Sequence, residues 1–343
     1  MQAPRTRTTL NDVARRAGVS IATASRVLSG SRDRVRPALA TKVEAAAAEL
    51  DYRPNPHARA LVQSSSPTVA VIVHDLSDPY FSELVRGALR VAAEDDRLVM
   101  ICASFRDPDR EVAYVREMRT QRMHAVLIAG GSSRGLEPGA LLGAELAAYR
   151  AEGGRVAVMV AGHGYPAAVP NHRQGGAAAA RHLLDLGHRR LGVITGPEQL
   201  SSVAERLAGF EEEVRSAGHP DPVLVFADFT REGGADAVES LVSEWPGTTG
   251  VLALNDLMAA GAIRRLEHMG RTVPGDVSVV GFDDIPLAAD FHPSLTTVRI
   301  PLEEIGAAAM RLALSLDPGS DDAPTEVFGT ELVIRQSTGP PPT

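Results

Sequence analysis

Aromatic and hydrogen-bonding side chains stand directly after several apolar runs of this sequence. They are Asp78, Tyr80, Phe81, Phe229, Asn255 and Asp283. If the runs are strands of a parallel sheet, these side chains lie beyond its carboxyl ends, where such sheets bind ligands. The aromatic rings could stack on the apolar faces of a sugar, and the carboxylates and the amide could hydrogen-bond to its hydroxyl groups. The six residues therefore predict a binding site for a polyhydroxylated ring.

The segments that must position these residues begin at Thr68. Eight short apolar runs follow, at 68–73, 98–102, 125–129, 155–160, 191–194, 223–227, 250–254 and 277–281. Amphipathic segments lie between them, among them 82–96, 109–121, 204–217 and 256–269. Continuously apolar runs are typical of parallel strands that are covered by helices on both faces. Two series of four runs predict an α/β fold of two doubly wound parallel-sheet lobes with a cleft between them.

The first 50 residues have a different pattern. They contain three helical segments, at about 9–17, 20–28 and 37–49, and no strand pattern. Thr9 and Asp12 form a variant of the capping box, Gly18 provides a turn, and Ser20 can cap the second helix. This spacing indicates a helix–turn–helix, whose second helix typically enters the major groove of DNA. A small helical bundle used for packing or dimerisation would show the same spacing.

The distribution of charge favours the DNA-binding interpretation. The chain of 343 residues has 35 basic and 43 acidic side chains, for a net charge of −8. Residues 1–63 contain 11 of the basic residues and only 5 of the acidic ones, so this segment carries +6 and the remainder −14. A basic segment attached to an acidic body is typical of a protein that contacts nucleic acid at one end.

Other features exclude several classes of protein. The single cysteine, Cys102, excludes a disulfide framework and a cysteine-rich zinc site. No apolar run reaches the roughly 18 residues of a membrane span, and the N-terminus lacks a signal-peptide pattern, so we expect a cytoplasmic protein. The glycine-rich segment 130–135 lacks dinucleotide-binding spacing. No catalytic serine–histidine–aspartate pattern is evident, and His182 and His188 are interpreted as surface positions. The sequence thus predicts no enzyme, no cofactor and no metal.

Ordered blocks along the chain resemble the LacI/GalR family of bacterial transcriptional regulators. They include LNDVARRAGVSIATASRVLSG (10–30), YRPNPHARAL (52–61), DLSDPYFSELVRG (75–87) and VPGDVSVVGFDDIPLA (273–288). The resemblance implies a lambda-repressor-like helix–turn–helix domain at 1–50, a hinge helix and linker at 51–67, and a periplasmic-binding-protein-like body at 68–343. It implies an N-lobe of about 68–165 and 298–326 and a C-lobe of about 166–297 and 327–338.

The resemblance also implies which residues of the second helix contact DNA. Ile21, Ala22 and Arg26 would face base edges, because Arg26 can donate two hydrogen bonds to a guanine and the other two offer apolar contact. Three hydroxyl side chains could bind phosphates, which position the domain without reading sequence: Ser20, Thr23 and Ser25. Packing of Ile21 in the core is the alternative.

The hinge segment is too short to form a stable helix by itself. The resemblance implies that it folds on DNA, paired with the hinge of a second subunit. Its contact residues would be Asn55, Ala58, Arg59 and Leu61, with Leu61 inserted as an apolar wedge in the minor groove. A plain linker, with Leu61 packed on the body, is the alternative. Asp51 stands where relatives usually have glycine, so the turn before the hinge is expected to differ.

The implied function is that of a homodimeric regulator, typically a repressor, which binds a pseudo-palindromic operator in double-stranded DNA. A small-molecule effector, expected to be a carbohydrate, would bind between the lobes and control operator affinity. Arg206 matches the effector-contacting arginine of the family and joins the ligand set. The alternatives are control by a protein co-repressor, or by a non-sugar metabolite such as a nucleobase.

Structural roles remain open for some of these residues. Phe81 could belong to the core, and Arg206 could form an ion pair with Asp283 between the lobes. The sequence also departs from the family pattern, since 161–164 replaces an aspartate–arginine pair that many relatives use to hold the effector. Asn171 and His172 stand where relatives often have aspartate and asparagine. These departures weaken any assignment of a particular sugar.

Overall fold

The computed structural model describes residues 8–28, 35–52, 66–130, 137–160, 164–315, 317 and 323–342. The chain separates into two compact units, Met1–Pro67 and Thr68–Thr343. The helices are α1 (Leu10–Ala17), α2 (Ile21–Leu28), α3 (Pro37–Glu49), α4 (Pro79–Glu94), α5 (Pro108–Thr120), α6 (Glu137–Ala151), α7 (His172–Asp185), α8 (Ser201–Ser216), α9 (Arg231–Glu244), α10 (Asp256–His268) and α11 (Leu302–Ser315), with a 3₁₀ turn at Pro286–Ala289. Among the described residues, every helix is too short or too polar to cross a membrane.

The strands of the second unit form two six-stranded sheets. They are β1 (Thr68–Val73), β2 (Leu98–Ala103), β3 (Ala125–Ile128), β4 (Arg155–Val158), β5 (Ala167–Pro170), β6 (Leu191–Thr195), β7 (Val223–Phe226), β8 (Gly250–Ala253), β9 (Ser278–Asp283), β10 (Thr296–Arg299), β11 (Thr325–Phe328) and β12 (Glu331–Val333). The N-lobe sheet has the order β11–β5–β4–β3–β1–β2 and the C-lobe sheet β12–β10–β9–β8–β6–β7.

The first unit is a three-helix domain with a core of small apolar side chains. Val13, Ala14 and Ala24 are buried against α3, and the alanines let the helices approach closely. The capping box of Thr9 and Asp12 is confirmed, as is the left-handed turn at Gly18 with a φ of 66°. Ser20 Oγ accepts a hydrogen bond from the backbone N–H of Thr23 at 3.1 Å, which confirms the second cap. The helix–turn–helix prediction is therefore correct.

The end of this domain explains one departure from the family pattern. Asp51 has a φ of 44°, which lies in the left-handed region where glycine is favoured and aspartate is tolerated. The turn thus keeps a conformation that suits the usual glycine. The hinge residues for which DNA contacts were predicted, Asn55, Ala58, Arg59 and Leu61, lie outside the described residues.

The prediction of two doubly wound parallel sheets is confirmed. All eight predicted strands are present, and every pairing in the two sheets is parallel except that of β10 with β12. Four strands were not predicted: β5, β10, β11 and β12. β10, β11 and β12 mix polar with apolar residues, and β5 is the short Ala-Ala-Val-Pro segment, so none shows the continuous apolar run by which a buried parallel strand is recognised in sequence.

The lobe boundaries differ from those predicted because three of these short strands lie next to the crossings between lobes. β5 belongs to the N-lobe sheet and extends this lobe to Pro170, beyond the predicted limit at 165. β10 keeps the chain in the C-lobe to Arg299, and β11 keeps it in the N-lobe to Phe328. The predicted crossings at 297 and 326 are therefore each two residues too early.

His188 is buried, so its interpretation as a surface position was wrong. Only 1% of the residue is exposed. Its ring nitrogens lie 2.9 Å from Thr249 Oγ1 and 3.1 Å from Ser278 Oγ, and 2.9 Å from the carbonyl oxygen of Gly339. The imidazole thus fastens the C-terminal segment to the C-lobe sheet. Sequence could not indicate this, because the partner carbonyl is 151 residues away.

Helices α7 and α8 cross at a contact point where each helix contributes a glycine. A Cβ atom on Gly176 would lie 2.0 Å from the carbonyl oxygen of Arg206, and one on Gly209 would lie 2.0 Å from that of Arg173. The two helices therefore touch backbone to backbone. The pairs α4/α11 and α9/α10 repeat this arrangement through Gly87 with Gly306, and through Gly234 with Gly261. In the first pair, the close approach places the start of α7 beside Arg206.

Gly209→Ala should destabilise the body. The added methyl group overlaps the backbone of α7, so the helices must separate, at a cost of roughly 1–3 kcal/mol in the free energy of unfolding. Urea denaturation followed by circular dichroism measures it. Gly143→Ala in α6 is the matched control, since nothing lies within 4 Å of its added Cβ. An equal effect of both substitutions would contradict the crossing.

Candidate functional site

A cavity of about 290 Å³ lies at the carboxyl ends of both sheets of the body. All seven residues predicted to contact a ligand line it: Asp78, Tyr80, Phe81, Arg206, Phe229, Asn255 and Asp283. The first three come from the N-lobe and the other four from the C-lobe. The structure therefore brings the predicted set together from both lobes. That these residues contact a ligand stays a prediction.

Two of these residues also cap helices. Asp78 Oδ1 accepts a hydrogen bond from the backbone N–H of Tyr80 at the start of α4, and Asn255 Oδ1 accepts one from Met258 at the start of α10, at 2.8 Å. Each cap lies just after a strand, so it is held at the sheet edge. The amide nitrogen of Asn255 is left as the group that can donate to a ligand.

Arg206 is a buried charged side chain of the cavity, with only 5% of the residue exposed. Its Nε donates a hydrogen bond to His172 Nδ1 at 3.2 Å, and Nη1 donates to the carbonyl oxygen of Leu254. Its Nη2 lies 2.9 Å from Asp283 Oδ1. The guanidinium carbon is 4.1 Å from the ring centroid of Phe282, a cation–π contact. Every nitrogen of the guanidinium thus faces a protein group.

The ion pair of Arg206 with Asp283 lies within the C-lobe. α8 and β9 both belong to this lobe, so the alternative of a pair between the lobes is wrong. Burial raises the pKa of Asp283 to about 7, against the lowering effect of Arg206 and with a further raising effect of Asp78 across the cleft. The backbone is strained here, since Asp283 has a φ of 113° and Asp284 one of 55°. The carboxylate is therefore held in place at a conformational cost.

Phe81 of the N-lobe has both of the roles that were considered for it, core packing and lining of the cavity. Phe81 is buried in the main core and also lines the cavity. Its ring packs edge to face against Tyr80, with centroids 5.0 Å apart, and against His74 at 5.5 Å. Burial raises the pKa of the Tyr80 hydroxyl above its ordinary value, so Tyr80 remains protonated and able to donate.

Arg106 is a cavity residue that sequence reasoning missed. It follows β2 of the N-lobe, and its guanidinium carbon lies 5.2 Å from the ring centroid of Phe229 in the C-lobe. Phe105 and Arg106 are both left-handed, with φ values of 53° and 59°, which directs the chain sharply away from the strand. The position just past a strand end was the available signal. His172, whose identity was noted only as a departure, also lines the cavity.

A serine, a histidine and a carboxylate do meet beside the cavity, although no such set was predicted. Ser104 Oγ lies 3.2 Å from His74 Nδ1 and donates to Glu111 Oε1 at 3.0 Å. The serine hydroxyl thus donates to the glutamate, whereas a serine nucleophile donates to its general base. Ser104 is also fully buried. No cluster of three or more potential metal ligands occurs among the described residues.

The predicted DNA-reading face of α2 is exposed. Ile21 is 51% exposed, so the alternative that it packs in the core is wrong. Ser20, Ala22 and Arg26 are exposed as well, while Thr23 and Ser25 are half-buried. The opposite side of the helix is buried through Ala24 and Val27. The contacts of these six residues with DNA stay a prediction.

Family profiles of known proteins match segments in each of the two compact units of this chain. The profile of bacterial regulatory proteins of the lacI family matches residues 9–55, and that of a periplasmic binding protein-like domain matches residues 180–338. The transcriptional regulator GalR of Escherichia coli K12 is 32% identical over 342 residues, covering 97% of this chain and 96% of GalR.

Two solved structures are similar over nearly the whole chain. The lac repressor dimer bound to operator and the anti-inducer ONPF is 26% identical with a TM-score of 0.85, covering 97% of this chain and 100% of that one. The complex of the regulator CelR with cellobiose is 29% identical with a TM-score of 0.69, covering 96% of this chain and 100% of that one.

Arg206→Met should lower the free energy of unfolding by about 3–5 kcal/mol at pH 8, because it leaves Asp283 buried without its cation. At pH 5.5 the loss should be smaller. The pKa of Asp283 is raised even with Arg206 present, so this carboxyl favours folding at low pH, and that contribution disappears as the pH rises through about 7. Urea denaturation at both pH values tests this. Arg181→Met, which breaks an exposed pair with Glu213, should change little, and a pH-independent loss in Arg206→Met would contradict the prediction.

Proposed function

This chain belongs to the LacI family of bacterial regulatory proteins, and from that premise we propose that a carbohydrate bound in the cavity controls its affinity for operator DNA. The protein is a DNA-binding transcriptional regulator. We assign it the role of a repressor that acts as a homodimer in the bacterial cytoplasm and has no catalytic activity. The lac repressor, a dimer on its operator, supports the dimeric arrangement.

The observation that carries the proposal is the composition of the cavity. Tyr80 and Phe229 supply aromatic rings, while Asp78 and Asp283 supply carboxylates, one member of each pair from each lobe. Aromatic faces with adjacent carboxylates suit a sugar ring, which has apolar faces and hydroxyl edges. The complex of CelR with cellobiose supports a carbohydrate as the ligand.

A ligand held by both lobes acts on their relative arrangement. It stabilises the arrangement in which both sets of residues reach it, and so shifts the population of the body towards that state. In the proposed dimer, rotation of the N-lobes separates or melts the paired hinge helices between the two DNA-binding domains. A coupling of about 1–3 kcal/mol changes operator affinity by roughly 5- to 150-fold.

At the DNA, α2 would lie in the major groove and read bases through Ile21, Ala22 and Arg26. Ser20, Thr23 and Ser25 would bind phosphates, which fixes the register of the helix on the duplex. The hinge residues Asn55, Ala58, Arg59 and Leu61 would occupy the minor groove at the centre of a pseudo-palindromic operator. The two N-terminal domains would occupy successive major grooves on either side.

Binding to DNA from upstream of its own gene, measured by fluorescence anisotropy, tests the proposal. Cellobiose, D-ribose, D-glucose, adenine and uridine are titrated into the complex. At least one sugar should change operator affinity by about 5-fold or more. A response to adenine or to the nucleoside uridine, and to none of the free sugars, would replace the sugar by a ligand that contains a nucleobase, for which stacking on Tyr80 and Phe229 is the available chemistry. A response only to a protein from cell lysate would indicate a co-repressor.

The response to the active sugar should depend on Asp283. Asp283→Asn removes an anionic acceptor and should weaken sugar binding at least tenfold, while Asp221→Asn on the surface should not. Because the pKa of Asp283 lies at about 7, sugar affinity should also fall as the pH is lowered from 8 to 6. Isothermal titration calorimetry measures both effects. Unchanged affinity in both Asp283→Asn and Arg206→Met would refute the cavity as the effector site.

Arg26→Ala should relax the base preference at one operator position in each half-site, at a cost of about 1–3 kcal/mol in discrimination, because the guanidinium fork is lost. Arg26→Lys keeps the charge without the fork and should relax the preference in the same way while binding DNA more tightly than the alanine variant. Selection from a randomised operator library gives the base preference. An unaltered preference in both variants would exclude Arg26 as a base reader.

A further inference from the structure

We infer that His172 is a ligand-contacting residue that donates a hydrogen bond from Nε2, and that it selects an effector with an acceptor oxygen beside the hydroxyl group read by Asp283. The inference rests on the proposed effector cavity. It adds a residue to the binding site and a requirement on the chemistry of the ligand.

The direction of the hydrogen bond between Arg206 and His172 follows from the arginine. A guanidinium remains protonated in proteins and can only donate. Arg206 Nε lies 3.2 Å from His172 Nδ1 and donates to it, so Nδ1 must carry a lone pair. The imidazole then has its single proton on Nε2, since a doubly protonated ring could not accept this bond.

The surroundings keep the ring in this neutral form. Burial lowers the pKa of His172 well below the ordinary value, and the charge of Arg206 lowers it further. The facing charged groups are the guanidinium of Arg206 and, on the other side of that guanidinium, the carboxylate of Asp283. The ring also lies 6.2 Å from the ring of Phe282, centroid to centroid, which adds an apolar neighbour.

The Nε2 proton is directed to a ligand by elimination. His172 is the first residue of α7 and lines the cavity. Its described hydrogen bond is the one at Nδ1, and among the described residues none accepts a bond from Nε2. Nε2 is not among the polar side-chain atoms that are buried without a hydrogen-bond partner. It is therefore accessible from the cavity that His172 lines. A donor at this position calls for an acceptor on whatever occupies the cavity.

The neighbouring groups define that acceptor. His172 and Asp283 both contact the guanidinium of Arg206, so they are separated by the width of that group. A single ligand in the cavity would therefore contact both through neighbouring atoms. Asp283 in its charged form can only accept, and His172 at Nε2 can only donate. The matching ligand presents a hydroxyl hydrogen to Asp283 and an oxygen lone pair to His172. A hydroxyl next to a ring oxygen, a carbonyl or a second hydroxyl meets this requirement.

The tautomer is tested on the full-length protein with ¹⁵N-labelled histidine, without any added ligand. Long-range ¹H–¹⁵N spectra between pH 5.5 and 8 should show His172 as a neutral ring with its proton on Nε2 and no titration. His172→Gln identifies the signals. A proton on Nδ1, or titration near the ordinary histidine pKa, would overturn the inference whether or not the cavity binds sugars.

Contact with the ligand is tested by adding cellobiose, D-ribose or D-glucose to protein that carries ¹³C-labelled phenylalanine as well as ¹⁵N-labelled histidine. A sugar that shifts the signals of Phe229 should also shift the Nε2 resonance of His172. His172→Phe should then weaken binding of that sugar at least tenfold, whereas His172→Gln, whose amide can both accept from Arg206 and donate, should stay within about threefold of the native protein. Far-ultraviolet circular dichroism and the cooperativity of urea unfolding show whether both variants are folded before their sugar affinities are compared.

These outcomes separate the inference from the proposed function. If a sugar shifts Phe229 but not His172, and His172→Phe binds it normally, the cavity is a sugar site and the inference is wrong. If no sugar shifts Phe229, the proposed carbohydrate is wrong. The same spectra then decide the inference with adenine and uridine as probes, since either compound, if it binds and leaves Nε2 unshifted, would overturn it.

Discussion

The buried guanidinium of Arg206 is the interaction on which the cavity depends. A charge that is almost fully removed from water must be compensated by neighbours, since an unpaired buried charge is very costly. Here a carboxylate, a carbonyl, an imidazole and an aromatic face surround it. β9 supplies both the carboxylate and the aromatic face, the end of β8 supplies the carbonyl and α7 supplies the imidazole. Compensating one charge therefore orders three segments around Arg206 at the edge of the C-lobe sheet.

The crossing of α7 with α8 makes this arrangement possible. Gly176 faces the backbone of Arg206, and Gly209 faces that of Arg173, so the first turn of α7 lies close to the guanidinium. A side chain on either glycine would separate the helices and increase the distance between His172 and Arg206. Helix packing and the electrostatics of the cavity are therefore coupled. The two glycines set the distance between His172 and Arg206, and this distance determines whether the imidazole can accept a hydrogen bond from the buried guanidinium.

Communication within the body follows from how the cavity is divided between the lobes. The C-lobe wall is rigid, since Arg206 and its partners are buried and bonded to one another. The N-lobe contributes Asp78, Tyr80 and Arg106, and Arg106 reaches across to the ring of Phe229. A cation over an aromatic ring is a modest interaction. A ligand that adds hydrogen bonds to both walls can therefore outweigh the existing contacts and select one arrangement of the lobes.

The sequence by itself determined the elements and the position of the site. Eight strands carry continuous apolar runs, the caps at Thr9 and Ser20 are local, and the predicted ligand residues follow strand ends because parallel strands finish at one edge. Only the tertiary structure decided which polar atoms meet. The short strands β5 and β11 have no signal apart from their neighbours, and the burial of His188 depends on a carbonyl from the end of the chain. The pairing of Arg206 with His172 required the crossing of two helices, and the contact of Arg106 with Phe229 required two lobes. Local patterns follow from interactions along the chain, whereas the compensation of a buried charge depends on groups that only folding brings together.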